Sequence, residues 1–183
     1  MISRREFGGL AAAGFSGLAL TGLALSSAVR AEMAITQPER GDDGMYHQPW
    51  FADSFLVLSE DVADAKAEGK RFAVMWEQKG CPYCKETHVV NLVRPDIQRF
   101  IRANFSVLQL DLWGSRKVTD FDGEEMEERA LARKWGIVFT PTVMFFDDDP
   151  GKMKGKSGVK SEVARMPGYF KPFHFLTMFE FVK

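Results

Sequence analysis

The chain has 183 residues, 45% apolar and 13% aromatic, with a formal net charge of −1. That balance describes one globular domain with at most a tail, excludes a disordered chain, and lacks the basic excess that nucleic-acid binding needs. Two cysteines exclude a disulfide-stapled miniprotein and an iron–sulfur site built from four thiolates of one chain.

The chain opens Ser3-Arg4-Arg5-Glu6-Phe7-Gly8, and an uncharged stretch rich in Gly, Ala and Leu runs from Gly8 to Val29. Val29 and Ala31 close it with small residues of the kind a signal peptidase cuts after. A charged start, an apolar middle and a small-residue end make residues 1–31 a secretory signal. The paired arginines before Phe7 resemble the twin-arginine export signal of bacteria. An apolar segment of this length also suits a membrane anchor, but its many Gly and Ser residues weaken that reading and favour cleavage. Losing three Arg and one Glu leaves 21 basic against 24 acidic residues, a net charge of −3. The expected location is the periplasm, an oxidising compartment in which disulfides persist.

Residues 32–49, with two Pro and two Gly among mixed charges, read as a linker. From Asp53, apolar residues at helical spacing run to Gly69, a natural helix stop. Arg71 to Trp76 reads as a buried strand, and the segment from Gly80 to Val93 as a helix entered through Pro82. Asp96 to Ala103 is a further helix and Phe105 to Leu112 a strand. Residues 113–123 form a long polar loop, and Glu124 to Trp135 a charged helix with a solvated face. Thr142 to Phe146 is a strand, Asp147 to Gly151 a turn, and Lys152 to Lys160 a basic, solvated hairpin. A short strand over Val163 to Met166 and an aromatic helix over Pro172 to Val182 complete the chain. Its phenylalanines cannot all share one helix face, so some must contact another surface. This order predicts an α/β fold, a mixed central sheet with helices on both faces. No obvious dimerisation segment is visible, so a monomer is expected.

Cys81-Pro82-Tyr83-Cys84 stands between a strand and a helix. A thiolate at a helix N-terminus is stabilised by unpaired N–H groups and the helix dipole. Cys81 is therefore the expected nucleophile, and Cys84, one turn on, the resolving thiol. Lys79 and Lys85 add positive charge whose effect solvent screens. Two other readings compete. Cys84 and His88 lie four apart, so Cys81, Cys84 and His88 form a candidate copper or zinc set, with a methionine as a soft fourth ligand. A structural disulfide closing so short a loop stabilises little. Lys85 after the second cysteine excludes covalent haem. Thr140-Pro141 is the second signal: an X-Pro opening an apolar strand makes sense if the bond is cis and its backbone faces the active site.

From about residue 50 onward the chain resembles thioredoxin-fold proteins. Within them it is similar to the periplasmic thioredoxin-like proteins of the SoxW type, associated with bacterial sulfur oxidation. The residues that carry this are Glu77 through Lys85, Phe139-Thr140-Pro141-Thr142 and Arg165 through Tyr169. The resemblance implies a thiol:disulfide oxidoreductase whose electrons are carried by the Cys81–Cys84 disulfide, with no further cofactor. It implies that Pro141 is the cis-proline beside that disulfide and that Thr140, with Pro82 and Tyr83, meets the substrate. It favours reduction of protein or sulfur-carrier disulfides with electrons from a membrane thiol donor; a disulfide oxidase or isomerase of the same fold stays open. Met75 stands where thioredoxins keep a buried acid. Glu77 is the nearest replacement as proton acceptor, although a solvent water would serve, and its alternative is an exposed acid at a strand end. His88 is expected at a helix surface or half-buried, Tyr83 exposed, and Trp76 and Trp135 in the core.

Overall fold

A computed structural model describes residues 34–183, so the export signal read over residues 1–31 lies outside the described residues. In chain order it holds β1 (Glu39–Arg40), β2 (Tyr46–His47), α1 (Leu58–Ala67), β3 (Arg71–Glu77) and α2 (Pro82–Glu86), which a π-turn (Thr87–Asn91) continues. Next come α3 (Pro95–Asn104), β4 (Phe105–Asp111), β5 (Lys117–Thr119), β6 (Glu125–Glu127) and α4 (Glu128–Lys134). The chain ends with β7 (Thr142–Phe146), α5 (Pro150–Met153), α6 (Gly158–Ser161), β8 (Glu162–Pro167) and α7 (Pro172–Val182).

The central sheet has the order β4-β3-β7-β8, with β3 parallel to β4 and the other pairs antiparallel. It is the mixed sheet expected. β3 and β7 are buried along almost their whole length because helices cover both faces. Pleating sorts their residues. Phe72, Val74 and Trp76 join Leu58, Val62, Leu131 and Trp135 in one core, and Ala73 and Met75 join Ile97, Ile101, Phe175 and Phe179 in the other. Trp76 packs edge-on against Trp135 at 5.8 Å, and Phe145 edge-on against Phe179 at 4.9 Å. Within α7, Phe175 and Phe179 are buried whereas Phe173 and Phe181 face solvent.

Five local readings are corrected. Residues 32–49 are not a linker from Ile35 on: β1 and β2 pair as a hairpin and belong to the same unit as the rest of the fold. Apolar side chains there are few, and the hairpin is held instead by polar contacts described below. The first helix begins at Leu58 rather than near Asp53, because the Ser54 hydroxyl accepts from Leu56 N–H at 2.7 Å and Leu56 turns through φ 64°. The loop over 113–123 contains β5, which pairs with β6, so the following helix starts at Glu128 rather than Glu124. Glu128 is also not solvated. It is buried and accepts from Asp111 N–H at 2.9 Å and from the Arg116 guanidinium at 2.5 Å. The basic segment 152–160 forms α5 and α6 rather than a hairpin.

The Ser54 hydroxyl also donates to Asp61 at 2.8 Å. Burial, eased by that hydrogen bond and reinforced by Asp64 and Glu60, pushes the Asp61 carboxyl up to about 6. Between about pH 4 and about pH 6 the folded chain holds a proton that the unfolded chain releases, so this group makes stability fall as pH rises. Asp61→Asn should flatten that slope and raise Tm above pH 6 relative to the parent. A Tm–pH profile identical to the parent's would contradict it.

Candidate functional site

β3 leads into Gln78-Lys79-Gly80, where Gly80 adopts φ 75° and turns the chain into α2. A Cβ at Gly80 would meet nothing within 4 Å, so the backbone conformation, not space, calls for glycine. Cys81 is the N-cap of α2 and Pro82 opens its first turn, where no N–H is needed. Cys81 and Cys84 are joined as a disulfide with 5.3 Å between their Cα atoms. The Cys84 N–H donates to Cys81 Sγ at 3.0 Å, a donor ready for negative charge on that sulfur. Both cysteines are buried, and Tyr83 between them is 59% exposed.

The Thr140–Pro141 peptide is cis and lies against the disulfide. Thr140 Oγ1 donates to Cys81 Sγ at 3.4 Å, and the Thr140 carbonyl oxygen lies 3.5 Å from the same sulfur. Tyr83 stacks on Tyr169 at 5.7 Å and 15°. The Tyr169 hydroxyl donates to Asn91 Oδ1 at 3.3 Å, and the Asn91 amide donates to the Phe170 carbonyl at 2.8 Å. The π-turn thus carries a buried Asn91 that ties the tail to the active-site helix.

Behind the disulfide lies a feature only partly visible in the sequence. Glu77 follows Ala73 and Met75 on the face of β3 whose core includes residues of α3 and α7, and it is 1% exposed rather than an exposed strand-end acid. His88, one turn beyond Cys84, is 0% exposed rather than at the surface. Its Nε2 donates to the Glu77 carboxylate at 2.9 Å and its Nδ1 lies 3.3 Å from Gln48 Nε2. Gln109 Nε2 donates to Glu77 Oε2 and, at 2.8 Å, to the Tyr46 carbonyl. Gln109 Oε1 accepts from His47 Nδ1 at 2.7 Å, and His47 Nε2 meets Asp43 at 3.0 Å. Burial opposes the Asp43 charge, but hydrogen bonds from Met45 N–H and His47, with the nearby Arg116, hold its carboxyl below the ordinary carboxylate range.

Glu77, Cys81 and Cys84 share one cavity of about 230 Å³, roofed by Arg40, Met45 and Tyr46 of the N-terminal hairpin. The hairpin therefore contributes one wall of the site. Sequence reading did not assign Gln48, His47 or Gln109 to the site, since no local spacing links a glutamine to a carboxylate 29 or 32 residues away. The metal set proposed from Cys81, Cys84 and His88 does not assemble, because both His88 ring nitrogens are engaged elsewhere. Among the described residues no group of three or more His, Cys, Asp or Glu side chains is placed to hold a metal ion. Gln109→Leu strips one of two donors from a buried carboxylate and leaves the Tyr46 carbonyl unmatched. Its expected cost is about 3 kcal/mol in urea unfolding, and a loss within about 0.5 kcal/mol of zero, the range of surface substitutions, would show that the network carries no stability.

A family model described as thioredoxin-like domain matches residues 58–183. The fold is similar to that of a thioredoxin from Thermus thermophilus, at 27% identity, covering 69% of this chain and 83% of that one with a TM-score of 0.49. It is also similar to a thioredoxin-fold protein from Helicobacter pylori, at 23% identity, 68% and 78% coverage and a TM-score of 0.47. The C-terminal domain of Neisseria meningitidis DsbD in its oxidised form gives 18% identity, 73% and 98% coverage and a TM-score of 0.49. No curated protein matches the chain.

Proposed function

The chain belongs to the thioredoxin-like domain family and is a thiol:disulfide oxidoreductase, and from that premise we propose that it is exported and reduces disulfides in the periplasm. The observation that carries the chemistry is the asymmetry of the two sulfurs. Cys81 sits at the helix N-cap, where its sulfur accepts from the Cys84 N–H at 3.0 Å and from Thr140 Oγ1 at 3.4 Å, whereas Cys84 lies inside the helix; the buried Glu77 carboxylate lines the cavity that holds both sulfurs. Two electrons from a thiol donor open the Cys81–Cys84 bridge. The Cys81 thiolate then attacks a substrate disulfide and expels one substrate thiolate. Cys84 loses its proton to Glu77, attacks Cys81 Sγ and releases the second substrate sulfur, which is protonated as it leaves. The Cys81–Cys84 bond is restored, and the two electrons have passed to the substrate.

Thr140 and Pro141, with Pro82 and the exposed Tyr83, form the surface a substrate strand meets. Exposed Val138 and Phe139, 75% and 62% accessible, extend it with apolar area. Protein disulfides are thus the substrate class. The twin-arginine-type N-terminus supports export, and the resemblance to SoxW-type proteins supports the reducing direction and a membrane thiol donor. The Cys84→Ser variant should accumulate a mixed disulfide through Cys81 when given oxidised insulin after reduction, and Cys81→Ser should form none. Glu77→Gln should slow product release about 10²-fold while leaving the first attack intact. Full turnover by Cys84→Ser would overturn the assignment of the two thiols.

A further inference from the structure

The hydrogen-bond polarity around Glu77 can be worked out atom by atom. Trp50 Nε1 is only a donor, and it donates to Gln48 Oε1 at 3.1 Å. Gln48 therefore turns its NH2 group toward His88, 3.3 Å from Nδ1 and 3.4 Å from the His88 carbonyl. A donor facing Nδ1 requires that nitrogen to be an acceptor, without a proton. The ring proton of His88 is consequently on Nε2, which donates to Glu77 at 2.9 Å. On the other side the Tyr46 carbonyl is only an acceptor, so the Gln109 group that reaches it and Glu77 is the NH2. Glu77 is held by two neutral donors.

We propose that Gln48, on the N-terminal hairpin segment, is a positioning residue that keeps His88 in its neutral Nε2–H form, so that the proton released by Cys84 goes to the Glu77 carboxylate. This rests on the exchange reading above. An extra proton arriving at the Glu77–His88 pair has two possible sites. On Nδ1 it would point at the Gln48 NH2, donor against donor, inside a fully buried pocket. On Glu77 it has room: Oε2 accepts from both His88 and Gln109, but Oε1 meets only His88 Nε2, at 3.1 Å, and keeps a lone pair for the proton. The charged and titratable groups that face the pair leave this choice unaltered. Cys84 faces it from α2, the Tyr46 ring lies 6.3 Å from the His88 ring, and Arg40 and Lys85 line the cavity. His47 with Asp43 reaches the pair only through Gln109. None of them offers Nδ1 an acceptor.

The Q48E variant supplies that acceptor. Its carboxylate accepts a hydrogen bond from Nδ1–H, so Nδ1 takes up a proton from solvent, His88 becomes an imidazolium and Glu77 becomes a weaker base. The test uses the full chain with histidine nitrogens labelled with ¹⁵N, and insulin reduction driven by dithiothreitol. In the parent, the His88 nitrogens should show the neutral Nε2–H pattern at pH 7. In Q48E both nitrogens should be protonated at pH 7, product release should slow about tenfold, and its acid limb should move down by about one pH unit. Q48M, which removes the donor without adding charge, covers the case in which Q48E does not fold; there the Nε2–H tautomer should lose its preference and the His88 nitrogen shifts should move away from the parent's pattern. A doubly protonated or Nδ1–H ring in the parent would overturn the proposal, as would variants with the parent's nitrogen shifts and pH profile. Failure of the exchange reading looks different: insulin would not be reduced by the parent at all, whatever the state of His88.

Discussion

A carboxylate out of water needs donors, and the active site of this protein is arranged around one such group. Burying a carboxylate costs several kcal/mol even after relaxation, and each hydrogen bond to a charged group returns about 1.5–3 kcal/mol. Glu77 receives one bond from the helix that carries the cysteines, through His88, and one from the neighbouring strand, through Gln109. Those two side chains are in turn held by the N-terminal hairpin segment, through Gln48 and through His47 and the Tyr46 carbonyl. Sheet, helix and hairpin are therefore bound together at the point where the chemistry needs a proton acceptor. In the proposed mechanism, the same bonds that stabilise the fold select the atom behind the disulfide that accepts the proton.

The front of the site follows different physics. Cys81 is placed by a helix N-terminus, Thr140 and Pro141 by the start of a buried strand, and Tyr83 by stacking on Tyr169. Around them Tyr83, Val138 and Phe139 are exposed and apolar, as suits a polypeptide that must dock and leave. In the proposed exchange, the division between a buried, polar rear and an accessible, apolar front separates the attacking sulfur from the resolving one. It gives two chemically identical thiols different tasks.

Much of this was legible in the sequence. The strands over β3, β4 and β7 are short apolar runs bounded by Gly, Pro and Asp, and periodicity finds such elements well. The Cys81–Cys84 spacing and the late Thr140-Pro141 pointed to the front of the site because both are local signals. The rear was harder. Met75 occupies the strand position where an acid was expected, and Glu77, two residues on, lies on the same pleat face. Its burial was not read from the sequence, where an exposed strand-end acid stood as the alternative, and only the hairpin explains why it tolerates burial. That hairpin looked like a linker because its sequence is polar and carries Gly and Pro. Its attachment depends on Gln48 and His47 meeting partners far along the chain, and no periodicity encodes such pairs. Glu128 was misread for the same reason: Arg116 and the Asp111 N–H bury it, although its helix looks uniformly charged.

The reduction potential of the Cys81–Cys84 pair tests the central claim most directly. The full chain is equilibrated in thiol–disulfide buffers, and its free thiols are counted by alkylation. A reductant should show a reversible two-electron couple between about −270 and −200 mV. A couple near about −120 mV would make the protein an oxidant instead, and no reversible couple would contradict thiol–disulfide exchange altogether.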